Sequence, residues 1–286
     1  MNDVILGTRG SALALAQSKW VAHCLTQKTG VGVRLRVIRT KGDKIIDKPL
    51  QAIGGKGLFT AELEAALLSE EIDFAVHSLK DLPTDEDGEL CIACVPARED
   101  PRDAVVGTPL QSARVIGTGS LRRQAQIKQL VSSVEIRGVR GNVDTRIEKM
   151  ERGQYDSVVL AMAGLNRLGI RRSDIYPLSV EECVPAAGQG ALAVQCVRSR
   201  TDIVSLLQSI HCDRTQSEVL TERTFLSEYG GGCHIAVGCF AQQTPDGIKA
   251  TGMIEADDGR VHRLTIQGTQ AVNLGLLLAQ RLSAAK

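Results

Sequence analysis

Hydrophobic and polar positions follow two periods along the first part of the chain. Short apolar runs at residues 3–7 (DVILG) and 73–77 (DFAVH) predict buried strands, and the spacing of apolar positions over residues 12–25 predicts an amphipathic helix. Residues 33–39 (VRLRVIR) alternate between apolar and basic side chains, which is typical of a strand. Strands that alternate with helices favour mainly parallel sheets of the α/β class.

A second stretch of the chain repeats the order of the first. The segment RVIGTGSLRRQAQIKQL (114–130) has the same strand, Gly-Thr, Gly-Ser and helix as VILGTRGSALALAQ (4–17). Likewise, YDSVVLAMAGLNRL (155–168) parallels IDFAVHSLKDL (72–82), with Asp156 at the position of Asp73. The repeat predicts two similar α/β domains, and ligands of such sheets bind outside the carboxyl ends of the strands.

After residue 213 the pattern changes to a small α+β domain. A helix over residues 213–228 precedes three short strands, which the turn motifs TPDG and ADDG separate. The strands are predicted near residues 235–241, 247–254 and 260–266, and a helix over 270–284 follows. The chain is expected to pass between domains at REDPRDA and at VPAAGQGALAV. We therefore expect domain 1 at residues 1–98 and 190–210, domain 2 at 99–189 and domain 3 at 211–286.

Composition narrows the classes of partner and compartment. The 286 residues carry a formal net charge of +1 and only 3% aromatic side chains, which favours neither nucleic acid nor an anionic membrane as a partner. The amino-terminal residues show no signal-peptide pattern, and no apolar run approaches the length of a membrane span. These features predict a cytoplasmic protein with reduced thiols.

Six arginines fall at or just beyond predicted strand ends. They are Arg9, Arg122, Arg123, Arg140, Arg146 and Arg167. Guanidinium groups match carboxylates or phosphates through two hydrogen bonds, and nearby helix N-termini add backbone donors. The motif GTGSLR is neither a dinucleotide fingerprint nor a P-loop, so a ligand with several separate carboxylates is favoured over a nucleotide. The alternative is a set of solvated surface arginines.

Two further places could carry chemistry. Lys80 and Asp81 follow a strand end, where a carboxylate could move a proton or stabilise a cation, or where the pair could simply serve the turn before Pro83. Cys233 follows three glycines, which indicates either a tight turn or the close approach of a bulky group to its sulfur. Cys91 and Cys94 have the spacing of half a zinc site, but an apolar strand with buried cysteines explains them better, and no metal site is predicted.

The ordered set of motifs resembles the porphobilinogen deaminase family from about residue 4 to the final helix. The motifs are GTRGSALALAQ, GGKGLFTAELE, HSLKDLP, GTGSLRRQ, RGNVDTR, AGLNRLG, PAAGQGAL and GGGCH. One departure is Ala236, where the family commonly has proline. The resemblance implies two domains like type II periplasmic binding proteins plus a small third domain that bears the cysteine.

The resemblance also implies a cofactor, a substrate and their residues. A dipyrromethane cofactor would be attached to Cys233 through a thioether, and Asp81 would be the catalytic carboxylate beside the azafulvenium cation formed when ammonia leaves. Matching positions for cofactor binding are Ser78, Lys80, Thr118, Ser120, Arg122 and Arg123. Matching positions for substrate binding are Arg9, Ser11, Arg140, Arg146 and Arg167.

The activity implied is the head-to-tail joining of four porphobilinogen molecules on the cofactor, with release of ammonia and hydroxymethylbilane. The enzyme would be a cytoplasmic monomer of tetrapyrrole (haem) biosynthesis. The alternative is a non-catalytic two-lobed sensor or anion-binding protein, which would explain the arginines but not Asp81 and the glycine-flanked Cys233 together.

Overall fold

The computed structural model describes residues 3–40, 60–84, 88–230 and 235–284, so Cys233 lies outside the described residues. Its strands are β1 (Val4–Thr8), β2 (Val33–Val37), β3 (Phe74–Ser78), β4 (Leu90–Cys94), β5 (Asp103–Gly107), β6 (Val115–Gly117), β7 (Glu135–Arg137), β8 (Ser157–Ala161), β9 (Ile175–Pro177), β10 (Leu192–Val197), β11 (Val237–Thr244), β12 (Gly247–Glu255) and β13 (Val261–Gly268). Its helices are α1 (Ala12–Thr29), α2 (Ala61–Leu68), α3 (Leu121–Leu130), α4 (Val143–Glu151), α5 (Met162–Arg167), α6 (Thr201–Gln208), α7 (Asp213–Glu228) and α8 (Ala271–Ser283). A 3-10 turn, Leu79–Asp81, follows β3.

Two five-stranded sheets share one strand order. The first is β2-β1-β3-β10-β4 and the second is β7-β6-β8-β5-β9. In each, three parallel strands stand beside one strand that pairs antiparallel with both of its neighbours. The equivalence confirms that the repeated sequence pattern encodes one α/β architecture twice.

A third sheet contains the antiparallel strands β11-β12-β13. Its core joins strand residues such as Cys239 and Ile254 to Phe225 of α7 and to Leu274 and Leu278 of α8, all of them buried. The predicted helix, three strands and final helix of the carboxyl-terminal region are thereby confirmed. Among the described residues, no helix is both long enough and apolar enough to cross a membrane.

By their internal contacts, the residues form two compact units. One consists of Met1–Arg98 and Ala191–Gln216, and the other of Glu99–Gly190 and Ser217–Lys286. The third sheet therefore belongs to the same unit as the second sheet. The division into three domains stays a prediction.

Each five-stranded sheet contains an aspartate that joins two of its own strands, and the two aspartates stand at equivalent positions. The backbone N–H of Ile5, in β1, donates to Asp73 at 2.7 Å. In the second sheet, the N–H groups of Arg114 and Val115 donate to one oxygen of Asp156 at 2.8 and 2.9 Å. Each carboxylate precedes the third strand of its sheet and binds the start of the first strand, so it fixes the offset between the two.

Equivalent glycines explain why Gly-Thr recurs at both strand ends. A Cβ on Gly7 would overlap the side chain of Ile72, and a Cβ on Gly117 would lie 2.9 Å from Cδ1 of Tyr155. Both contacts are with a residue just before a neighbouring strand: Ile72 precedes β3, and Tyr155 precedes β8. Glycine is required there because the neighbouring side chain packs directly on the backbone.

We predict that Asp156→Asn lowers the free energy of unfolding by about 1 kcal/mol, because bonds to a charged acceptor are stronger than bonds to a neutral one. The backbone N–H of Val115, with that of Arg114, holds the pKa of Asp156 below its ordinary value of 3.8. This stabilisation is present above pH 3.8 and is lost as the pH falls through the lowered folded-state pKa, so the difference between wild type and variant should shrink in acid.

Urea unfolding at pH 7 and at pH 3 measures both effects. Asp246→Asn, at an exposed turn residue, is the control and should change stability by less than 0.5 kcal/mol, about the usual range for surface changes. Equal stability of wild type and Asp156→Asn at pH 7 would contradict the stabilising role of the hydrogen bonds to Asp156.

Candidate functional site

The carboxylate of Asp81 is exposed at the carboxyl end of β3. The 3-10 turn that carries it is anchored by Leu79 and Leu82, which are both buried, and the N–H of Leu79 donates to the carbonyl of Ala191 at 3.1 Å. Within the described part of the chain, the Asp81 side chain makes neither a hydrogen bond nor an ion pair. The backbone of this turn is therefore anchored, whereas the Asp81 carboxylate makes no structural bond to the residues described.

Further polar groups gather at the same edge of the first sheet. Ser11 caps α1 by accepting a hydrogen bond from the N–H of Ala14 at 3.3 Å. Ser78 accepts a hydrogen bond from Nε2 of Gln17 at 2.8 Å, which joins α1 to the end of β3. Because β1 and β3 are adjacent and parallel, their carboxyl ends lie side by side. The structure thus brings together Arg9, Ser11, Ser78, Lys80 and Asp81.

The second sheet has a matching edge, formed by the parallel strands β7, β6 and β8. Ser120 caps α3 by accepting from the N–H of Arg123 at 3.5 Å, and Thr118 accepts from the N–H of Ser120 at 3.2 Å. A Cβ placed on Gly119 would lie 3.4 Å from the carbonyl oxygen of Val139, so the loops after β6 and β7 are in contact. The helix N-terminus at Ser120 adds backbone donors to this edge.

Three predicted substrate arginines also lie at this edge, with different surroundings. Arg140 is half-buried, and its guanidinium has no hydrogen bond or ion pair among the residues that the structure describes. Nε of Arg146 donates to the carbonyl of Gly141 at 2.8 Å. Nη2 of Arg167 donates to the carbonyl of Gly190 at 2.7 Å, and burial lowers the pKa of Arg167 to about 10. Arg167 therefore stays charged at neutral pH.

Arg122 and Arg123 are 5% and 6% exposed and bind a buried carboxylate, that of Asp103. Nη1 of Arg122 lies 2.8 Å from one oxygen of Asp103, and Nη2 of Arg123 lies 2.6 Å from the other. Burial alone would raise the pKa of Asp103, but the two guanidinium charges outweigh it and hold the pKa below its usual range. The sequence prediction placed both arginines at a ligand and did not foresee this counter-charge.

Other groups complete the network around Asp103. Nε2 of Gln189 donates to Asp103 at 2.9 Å, and Nη1 of Arg122 donates to the carbonyl of Val184 at 2.6 Å. Gln126 both donates to that carbonyl at 3.1 Å and accepts from the N–H of Val184 at 2.8 Å. Sequence reasoning missed Asp103. The signal was a charged residue that opens an otherwise apolar strand, DAVVG, because such a residue needs a buried partner.

His77 and the cysteines of β4 have structural surroundings. His77 lies in β3 and is buried, and burial lowers its pKa to about 4, so it is neutral at physiological pH, in agreement with its interpretation as a strand residue. Cys94 is buried and Cys91 half-buried, and both are free thiols. No cluster of three or more metal-ligating side chains occurs in the part of the chain that the structure describes.

The fold and these groups define a class: an α/β protein with two similar five-stranded sheets, whose strand ends present cationic and hydroxyl groups, and with an exposed carboxylate, that of Asp81, at the end of β3. The sequence matches the family descriptions "Porphobilinogen deaminase, dipyromethane cofactor binding domain" over residues 4–205 and "Porphobilinogen deaminase, C-terminal domain" over residues 216–284. The chain belongs to the porphobilinogen deaminase family.

Relatives with that name match over nearly the whole chain. The porphobilinogen deaminase of Bacillus subtilis (strain 168) is 40% identical over 96% of this chain and 91% of its own length. That of Lysinibacillus sphaericus (strain C3-41) is 41% identical over 98% of this chain and 93% of its own length. The predicted family is confirmed, and with it a transferase of tetrapyrrole biosynthesis that uses a dipyrromethane cofactor.

We predict that Asp103→Asn lowers the free energy of unfolding by about 3–5 kcal/mol, because it leaves two buried guanidinium groups without a counter-charge. Urea unfolding at pH 7 measures the change. Asp100→Asn is the control, since Asp100 pairs with Arg102, which is 44% exposed, and an exposed pair contributes about 1 kcal/mol or less. Similar losses in the two variants would contradict the central role of Asp103.

Proposed function

We propose that this chain deaminates porphobilinogen and joins four such molecules head to tail on its cofactor, releasing hydroxymethylbilane. The observation that carries the catalytic assignment is the exposed carboxylate of Asp81, which the 3-10 turn after β3 presents without a partner among the described residues. Family membership supports the substrate.

The donors of this chain fit a dipyrromethane, which carries an acetate and a propionate on each of its two rings. The bonds from Arg122 to Asp103 and Val184 use only Nη1, which leaves Nε and Nη2 for a ligand carboxylate. Arg140 has an uncommitted guanidinium within the described residues, and the helix beginning after Ser120 adds backbone N–H groups. A ligand with several separate carboxylates suits this donor set.

We assign roles on this basis. Cofactor carboxylates would be held by Ser78, Lys80, Thr118, Ser120, Arg122 and Arg123, and the substrate by Arg9, Ser11, Arg140, Arg146 and Arg167. The Asp103 pairing supports the assignment of Arg122, because it fixes the direction of that guanidinium group before a ligand binds. Arg123 donates from Nε and Nη2 to Asp103 and from Nη1 to the carbonyl of Val159, so its proposed role rests on the family resemblance.

Asp81 would act on the substrate's aminomethyl group. When ammonia leaves, the pyrrole methylene carries a positive charge, which the carboxylate stabilises. The bound cofactor supplies the pyrrole carbon that attacks this methylene. Asp81 would then accept the proton that the attacking pyrrole carbon loses, and since its side chain has no described partner, no structural bond has to break first.

Cys233 would hold the cofactor through a thioether. Its sulfur reacts as the thiolate, and the three preceding glycines permit close approach of a bulky group. The match to a family domain described as cofactor-binding supports the presence of the cofactor. We propose in addition the three-domain division at residues 1–98 with 190–210, 99–189 and 211–286, and, from the family resemblance, a monomer in the cytoplasm. The net charge of +1 favours neither a nucleic acid nor a membrane as a partner.

We predict that Cys233→Ser gives a folded protein that lacks the dipyrromethane adduct, because a hydroxyl ionises far less than a thiol at neutral pH. Intact mass should show the adduct on wild type and none on the variant. The control is Cys239→Ser, at a buried cysteine in β11, which should keep the adduct even if stability falls. Peptide mapping that places the adduct on another cysteine would refute the assignment.

We predict that Asp81→Asn loads the cofactor but loses about 10²–10⁴ in the rate of porphobilinogen consumption, because the proton acceptor and the negative charge are absent. Asp81→Glu keeps the charge and should retain more activity than Asp81→Asn. Loading is checked by intact mass before the rate is measured. A loaded Asp81→Asn variant that consumes substrate within threefold of wild type would exclude Asp81 as the catalytic carboxylate.

A further inference from the structure

One buried carboxylate outside the catalytic set bridges two segments of the chain. Glu222, in α7, has no exposed surface. Its Oε2 accepts a hydrogen bond from the N–H of Gly188 at 2.6 Å, and its Oε1 accepts one from the N–H of Ala241, in β11, at 2.8 Å. Both oxygens thus bind backbone, one on residues 184–188, here called the connector, and one on the edge strand of the third sheet.

The connector and β11 also touch directly. The N–H of Cys239 donates to the carbonyl of Pro185 at 3.0 Å. A Cβ on Gly238 would lie 2.8 Å from the carbonyl oxygen of Pro185 and 3.0 Å from Cδ of Arg122. Because only hydrogen occupies that position, β11 lies against both the connector and the stem of Arg122.

The other end of the connector is bound by the arginine network. Arg122 and Gln126 hold the carbonyl of Val184, and Gln126 also accepts its N–H. A continuous set of bonds therefore runs from Asp103 and Arg122 through the connector to Glu222 and β11. In the sequence, β11 begins at Val237, four positions after Cys233.

We propose that Glu222 is a positioning residue for covalent loading of the cofactor, an inference that rests on the function proposed above. Loading breaks the C–O bond of the terminal hydroxymethyl group of the tetrapyrrole, forms the C–S bond to Cys233 and releases the hydroxyl and the thiol proton as water. The step requires the strand that follows the cysteine to keep a fixed place relative to the arginines that bind the carboxylates. Glu222 sets that place through its two backbone bonds.

Glu218 provides a matched control on the same helix. It lies one turn earlier, is also buried, and its Oε1 accepts from the N–H of Gln243 in β11 at 3.0 Å. This bond reaches the same strand but not the connector. Glu218→Gln therefore tests the loss of a carboxylate bond to β11, whereas Glu222→Gln also places an amide N–H₂ against one of two backbone donors.

The experiment measures loading of the full-length apo-protein. Apo forms of wild type, Glu222→Gln and Glu218→Gln are mixed with hydroxymethylbilane, and adduct formation is timed by intact mass at a temperature where each is folded. For Glu222→Gln we expect at least a tenfold lower maximal loading rate with an unchanged half-saturating concentration. We expect Glu218→Gln to load within twofold of wild type, and alkylation of Cys233 by iodoacetamide to proceed equally in all three.

Each outcome decides one question. Loading of Glu222→Gln within twofold of wild type, or an equal loss in Glu218→Gln, overturns the inference while leaving the proposed function intact. A wild type that forms no adduct on Cys233 overturns the proposed function itself. If Glu222→Gln does not fold, Gly238→Ala replaces it, because a methyl group there displaces β11 from the connector and should slow loading in the same way.

Discussion

The pairing of Asp103 with Arg122 and Arg123 is the interaction on which the second unit depends. Two guanidinium groups are buried here, and only a carboxylate without solvent contact balances them. Replacing a whole set of buried charges by apolar residues often leaves stability unchanged, but removing one member leaves a buried charge without a partner and destabilises the fold. The set also joins β5 to α3 and, through Gln189 and Val184, to the connector, so backbone position and charge balance are fixed by the same bonds.

The internal repeat builds the same β-α scaffold twice but places side chains of different charge on it. Asp73 and Asp156 bind backbone at equivalent places, and Ser11 and Ser120 both cap the helix after the first strand. The residues that follow the caps differ, since α1 continues with Ala-Leu-Ala and α3 with Leu-Arg-Arg. The helix after the β-α turn therefore begins with apolar side chains in the first sheet and with paired guanidinium groups in the second.

Periodicity predicted most of the fold because each strand and helix carries its own pattern. The helix over residues 213–228 and the repeated order of strands and helices could both be predicted from the sequence, since they depend on the spacing of apolar residues within each element. The Asp103 network was not, because its partners stand 19 residues away at Arg122 and 86 residues away at Gln189. Arginines at a strand end have the same sequence pattern whether they face a ligand or a buried carboxylate, and only the packing of β5 against α3 separates the two cases.

Asp81 differs from the structural carboxylates described above in having no partner within the described chain. Asp73, Asp156 and Glu222 accept hydrogen bonds from backbone N–H groups, and Asp103 is held by two arginines. Protonating or moving any of them would break a bond that supports the fold. Asp81 stands between two buried leucines that fix its backbone, while its own oxygens bind nothing in the described chain. A carboxylate in that position can change partners without breaking a bond that supports the fold, which is what the proposed role of Asp81 would require in each of four successive additions of substrate.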